Sequence, residues 1–146
     1  MTDQIISASG IAGGLADQSK SNVLSRTVED SAGIAAGLPV KQGSADNGCT
    51  AGIAAGDFIG ITVARFGVDT NVQNSDVGVL DRGAIWLTAG GTINAGDQIM
   101  CTAAGVYKTY VASTASNFKL DGYAETSASS GAVFKFLLRS TNAVAA

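Results

Sequence analysis

The chain contains no histidine, one proline, one tryptophan and two cysteines in 146 residues. Each scarcity removes a kind of chemistry. Without histidine there is no Ser-His-Asp triad, no Cys-His nucleophile pair and no imidazole ligand for zinc. A Ser-Lys arrangement stays formally open, since lysines and serines are present, but no motif marks one. Neither G-x-x-x-x-G-K-S/T nor G-x-G-x-x-G occurs, so the glycine-rich phosphate cradles are missing. Cys49 and Cys101 stand alone. Two isolated cysteines do not form a disulfide framework, and they read as small buried hydrophobes, with a single bridge between them as the alternative.

Charge is also scarce, at 14% of residues against roughly 25% in an average soluble domain. Hydrophobic residues make up an ordinary 46%. A disordered chain shows the opposite bias, so this one is expected to fold, and its length suits one domain with a real core. Much of its exterior must then be uncharged, which points to a surface partly covered by partners. The net charge is −3, and of nine Lys/Arg only Lys108, Lys119, Lys135 and Arg139 lie beyond residue 100. No Lys or Arg neighbours another. Phosphate binding needs a basic patch, so nucleic acid is not an expected partner. No run of about 18 uninterrupted apolar residues exists to span a membrane. The opening Met1-Thr2-Asp3-Gln4 lacks the basic and apolar regions of a secretory signal.

What is present is β-type patterning. Short runs are separated by Gly, Asn and Asp: Val23–Val28, Leu38–Gln42, Phe58–Phe66, Val77–Leu80, Ala84–Thr88, Gln98–Thr102, Val106–Val111, Leu120–Ala124 and Val133–Arg139. Ile59, Ile61 and Val63 are expected on one face; Ile85 and Leu87 oppose Trp86; Phe134, Phe136 and Leu138 alternate with Lys135 and Arg139. Period two is the mark of half-buried strands, and no helical stripe of comparable length competes. Many short strands with Gly-rich turns imply an all-β fold, a small β-barrel or tulip-like domain, with a jelly-roll sandwich as the alternative. Residues 1–22 differ: Ile5, Ile6, Ile11 and Leu15 are their only large apolar anchors. Such a segment cannot repay its own ordering entropy. The expected organisation is an extended N-terminal arm, 1–22, and a β-rich domain, 23–146.

Two echoes are visible. Ser31-Ala-Gly-Ile-Ala-Ala-Gly37 recurs as Thr50-Ala-Gly-Ile-Ala-Ala-Gly56, and Ala-Gly-Asp stands before a strand at 55–57 and at 95–97. Glycine supplies positive φ and aspartate bonds nearby amides, so repeated turn chemistry is the expected content. Asp69, Asp76 and Asp81 cluster in one loop-rich stretch, but counting from Asp69 an EF-hand's required Gly and Glu positions hold Asn74 and Leu80. No metal site and no cofactor is expected. Trp86 reads as core or subunit seam.

One ordered series is more specific than composition. Ser25-Arg-Thr-Val-Glu-Asp-Ser-Ala-Gly-Ile-Ala-Ala-Gly-Leu-Pro-Val-Lys-Gln-Gly43 is followed by Gly48-Cys-Thr50, Phe58-Ile-Gly-Ile-Thr-Val63 and Val77-Gly-Val-Leu80. Then come Gly83-Ala-Ile-Trp-Leu-Thr-Ala-Gly-Gly-Thr-Ile-Asn-Ala-Gly-Asp97 and a turn at Ala104-Gly-Val106. Across about residues 23–139 this order resembles the structural cement (head decoration) proteins of tailed bacteriophages. The resemblance implies a non-enzymatic virion protein, made in the host cytoplasm, that binds the outer surface of the major capsid protein shell and stabilises it against internal DNA pressure. It implies a homo-oligomer as well, a trimer by preference or a dimer. Ile5, Ile6, Ile11 and Leu15 are the expected capsid or subunit contacts, and Trp86, Phe134 and Phe136 the expected core or oligomer seam. Removing residues 1–15 is expected to weaken shell binding without unfolding the body. Two rivals remain: another virion part, in the tail or as a minor head component, and a carbohydrate-binding β-domain. The last, or a hydrolytic form of it, would need an exposed aromatic platform around Trp86, Tyr107, Tyr110 or Tyr123, or clustered carboxylates.

Overall fold

The computed structural model describes residues 11–146 apart from 66, 67 and 69, and for 18–20 the backbone only. Among the described residues there is no helix; eleven strands carry the fold. They are β1 (Leu15–Val28), β2 (Ile34–Ala35), β3 (Pro39–Gln42), β4 (Gly48–Ala51), β5 (Gly60–Thr62), β6 (Thr70–Asn71), β7 (Asp76–Thr88), β8 (Gln98–Thr102), β9 (Tyr107–Thr109), β10 (Asn117–Ala124) and β11 (Val133–Ala145).

Nine strands form one sheet in the order β1-β4-β3-β5-β7-β11-β10-β8-β9, and β2 and β6 pair separately. β1 also pairs with β7, so β1, β4, β3, β5 and β7 close a circuit of hydrogen bonds. Its pairs are antiparallel except β1 with β4, where Thr27 and Val28 meet Gly48 and Cys49 in parallel. At the other end of the sheet β9 returns toward the end of β7. Ala89 bridges Tyr107, and the Gly90 N–H donates to the Tyr107 carbonyl at 2.7 Å. β7 is therefore shared by two halves of the molecule.

Each half has its own core. The larger contains Ile85, Leu87, Phe134, Phe136, Leu138, Leu120, Ile99, Cys101 and Tyr107. The smaller contains Val28, Ile34, Val40, Cys49, Val77 and Val79. β7 serves both, with Val77 and Val79 in the smaller and Leu80, Ile85 and Leu87 in the larger.

The period-two readings at β7 and β11 place Ile85, Leu87, Phe134, Phe136 and Leu138 inside, as alternation requires. Three departures are instructive. Val77–Leu80 and Ala84–Thr88 are one strand, because Asp81-Arg82-Gly83 is a kink and not a turn. There β1 bulges, with Asp17 opposite Ala84 but Asn22 already opposite Arg82. Gly83 has φ +134°, and a Cβ on it would fall 2.6 Å from Ser21 Oγ, so only glycine admits the bulge. Second, Ile59 and Ile61 part company, Ile59 packing on the smaller core and Ile61 lying in the larger, since β5 begins only at Gly60. Third, β1 starts at Leu15, inside the segment 1–22, and Leu15 packs against the larger core. β4, too polar to show alternation, is held by its neighbours β1 and β3.

Candidate functional surface

The fold disperses or buries the residues that carry chemistry. Cys49 and Cys101 are free and buried in different cores. Burial raises both thiols, Cys101 to about 12, which keeps them protonated and unreactive. Tyr107 is buried, and its hydroxyl donates to the Gly37 carbonyl at 2.7 Å. Desolvation, and then the neighbouring Cys101, push its phenol well above the usual range. This bond joins the larger core to the loop that roofs the smaller. Asp76 and Asp81 accept from Thr27 (3.3 Å) and Asn22 (2.7 Å), and Asp69 lies outside the described residues. No group of three potential metal ligands exists among the described residues.

Both sequence echoes are structural. In the two Ala-Gly-Ile-Ala-Ala-Gly segments the glycines share positive φ: +77° and +82° at Gly33 and Gly37, +117° and +76° at Gly52 and Gly56. The isoleucine between them is buried each time, Ile34 in the smaller core and Ile53 in the larger. The motif is a turn that pins one apolar side chain. The Ala-Gly-Asp turns match too. The Asp57 and Asp97 amides donate to the carbonyls three residues back, Ala54 and Asn94, both at 3.0 Å. The Asp97 carboxylate then accepts from the Asn94 amide at 2.9 Å and Thr109 Oγ1 at 2.9 Å.

Glu29 holds the β3–β4 loop. Its carboxylate accepts from the backbone amides of Ser44 (2.8 Å) and Ala45 (3.0 Å). Those two bonds, Ala45 foremost, lower its pKa. It lies in the space left by Gly43 and Gly48, where a Cβ would overlap it. Arg26 reaches the same loop through the Asp46 carbonyl, 3.1 Å.

The exterior is where a partner is met. Phe134 and Phe136 are fully buried and meet edge to face at 6.4 Å between centroids, so of the three expected core or seam residues these two belong to the core. Trp86 is half-buried on the opposite face of β7. Its backbone accepts from the Gly13 amide (2.7 Å) and donates to the Gly14 carbonyl (2.9 Å), tying the N-terminal segment down at that point. Ile11, just beyond the tie, is 71% exposed; Ile5 and Ile6 lie outside the described residues. The aromatic platform of a carbohydrate site is divided. Tyr107 is in the core, Lys119 lies over the Tyr110 ring at 4.8 Å, and Arg139 lies over the Tyr123 ring at 5.5 Å. Val23 and Leu24 on β1 are exposed at 39% and 45%.

An all-β body with its thiols buried, carboxylates such as Glu29 and Asp97 holding its turns, and exposed apolar side chains at Ile11, Val23 and Leu24 as well as at Val72, Val106, Val111 and Val144 has the make-up of a structural domain. The sequence matches the family of the structural cement protein (E217 gp24/Pam3 gp6) over residues 3–139, and the chain belongs to that family. Its role is that of a cement, or decoration, protein of a phage capsid. Among solved structures, a chain of the capsid of Myoviridae phage XM1 has the same fold. Its TM-score is 0.72 at 15% identity, over 91% of this chain and 92% of that one. The head fibre gp8.5 N base of bacteriophage phi29 aligns at TM-score 0.48 and 16% identity, over 83% of this chain and 97% of that one. No curated protein matches the sequence.

Proposed function

We propose that this chain binds the outer surface of a shell of major capsid protein as a homo-oligomer, a trimer by preference, and clamps adjacent capsomers without catalysing any reaction. The family match over residues 3–139 carries the reading. The physical chemistry supports it. A chain with only 14% charged residues has few charges to desolvate when its surface is covered, and repetition over a shell turns modest contacts into avidity. The N-terminal segment supplies contacts in this reading. Ile11, exposed beyond the Trp86 tie, suits a capsid or subunit contact together with Ile5 and Ile6. Leu15, packed on the core, acts as the anchor from which they extend. A deletion that probes the segment should therefore stop at residue 10, since removing 1–15 also takes the Gly13 and Gly14 bonds to Trp86.

The test is co-sedimentation of the purified chain with capsids lacking it, followed by imaging of the pellet. Saturable binding at regular positions on the outer shell, with raised heat resistance of the particles, is expected. Failure to bind expanded capsids, or attachment at the tail, would overturn the reading.

A further inference from the structure

β1 is an edge strand for part of its length. On one side it pairs with β7 from Asn22 to Thr27. On the other it meets β4 only at Thr27 and Val28, where the Thr27 amide also donates to the Asn47 carbonyl at 2.8 Å. Strand geometry alternates the direction of backbone groups, so the N–H and C=O of Val23 and Ser25 point the same way as those of Thr27, away from β7. No described residue bonds to them there. The neighbouring residues Asn22, Val23, Leu24 and Ser25 are all exposed, so both faces of the strand are partly open. Val23 and Leu24, adjacent in sequence, present apolar side chains to opposite faces. An uncovered edge flanked by apolar groups is a template for another strand, and natural proteins usually blunt such an edge with lysine or proline. Here neither occurs between Ser21 and Arg26.

We propose that the edge of β1 from Val23 to Ser25 receives residues 1–10 of a second copy of this chain as an added strand. This rests on the reading of the N-terminal segment as a contact element and names what it contacts. Three observations select the occupant. Ile5 and Ile6 are an adjacent β-branched pair; as a strand they face opposite ways and match Val23 and Leu24 on both faces. Asp3, two residues earlier, complements the groove beside the edge, lined by Asn22, Asp81, Arg82 and Arg139: its two guanidinium groups make no ion pair among the described residues and outnumber the one carboxylate, Asp81, which accepts from Asn22 at 2.7 Å. The segment starts from Ile11, next to Trp86, and ten residues reach about 33 Å when extended. The register shifts between Asp17 and Asn22 lie on the β7 side of β1, so they leave the outer edge from Val23 to Ser25 open to a segment from a second copy.

The test uses the full chain carrying Ile5→Cys and Leu24→Cys, treated in solution with a short bis-maleimide and run on a denaturing gel. The native thiols are buried and stay out of the reaction while the protein is folded. Dimers and larger cross-linked species, in most of the protein, are the expected result. Cross-linking confined within single chains, or none, would overturn the proposal. Ser25→Pro gives an independent check: it removes an outward N–H, where an edge strand tolerates proline. It should abolish cross-linking of the double-cysteine chain while leaving its circular dichroism and melting temperature unchanged; persistent cross-linking would count against strand addition. Capsid co-sedimentation reads the other question separately. A Ser25→Pro chain that still decorates shells leaves the cement role standing and confines the failure to this edge.

Discussion

The two halves of the molecule are stabilised in different ways. Around β8–β11 the core is large and dominated by Phe134, Phe136, Tyr107 and several Leu and Ile side chains. Around β1–β5 it holds only small aliphatic groups and one thiol, and buried polar bonds carry more of the specification. Thr62 is fully buried. Its hydroxyl donates to the Ala35 carbonyl at 2.7 Å and accepts from the Leu38 amide at 3.1 Å. Asn71, also buried, donates to the Ile34 carbonyl at 3.1 Å. Apolar burial is proportional to area and tolerant of detail, whereas buried hydrogen bonds are costly to leave unmade. The contrast teaches that the larger core supplies most of the folding energy. The smaller one fixes the shape of loops at the end of the molecule that carries the open edge of β1.

Breaking the larger core should do the most damage. Phe136→Ala is expected to cost about 3–5 kcal/mol and to lower the global melting temperature, measured by calorimetry; a loss below 1 kcal/mol would show that the site collapses around the gap. In the smaller half, Thr62→Val strands the Ala35 carbonyl and the Leu38 amide and should cost about 1–3 kcal/mol. Hydrogen exchange should then rise at residues 34–40 and stay low at 134–138. If both regions lose protection equally, the two cores form one cooperative unit and the comparison fails.

Tyr107→Phe cuts the bond between the halves and leaves the Gly37 carbonyl without its donor. We expect a loss of about 1 kcal/mol, at the low end for such a group, together with faster exchange around Gly37. Unchanged exchange there would mean the halves do not communicate through this contact. The smallest effect concerns Glu29. Its pKa is depressed by the Ala45 and Ser44 amides, so its contribution is present above the unfolded value, near 4.5, and is lost as pH falls through the folded value. The β3–β4 loop should thus loosen only under acid conditions, with exchange of the Ser44 and Ala45 amides rising. In Glu29→Gln that pH dependence should disappear.

Strands with strict alternation were legible because one of their faces meets a core: the cores at Ile85–Leu87 and Phe134–Leu138 could be read from spacing. β4 and the first part of β1 could not, since Gly48-Cys-Thr-Ala51 and the polar residues from Ala16 to Asn22 carry no periodic signal and form strands only because β3 and β7 offer them partners. The kink at Gly83 hid the unity of β7 for the same reason: a turn and a bulge use the same residues. Of the expected contact surface, Ile11 could be read as a surplus apolar residue, but the bare edge of Val23–Ser25 had no sequence mark.

The amino-acid sequence by itself determined the class of the protein. Missing histidine and isolated cysteines removed His-dependent triads, Cys-His pairs and imidazole metal sites, and the ordered Gly, Pro, Trp and Ala-Gly-Asp signals belong to a family of capsid cement proteins. These are local properties, set by residue identity and short spacing. Only the tertiary structure decided which strands close on one another, that one strand serves two cores, and which backbone edge has no strand beside it among the described residues. Such features depend on contacts between residues far apart in the chain, where no local pattern records the partner.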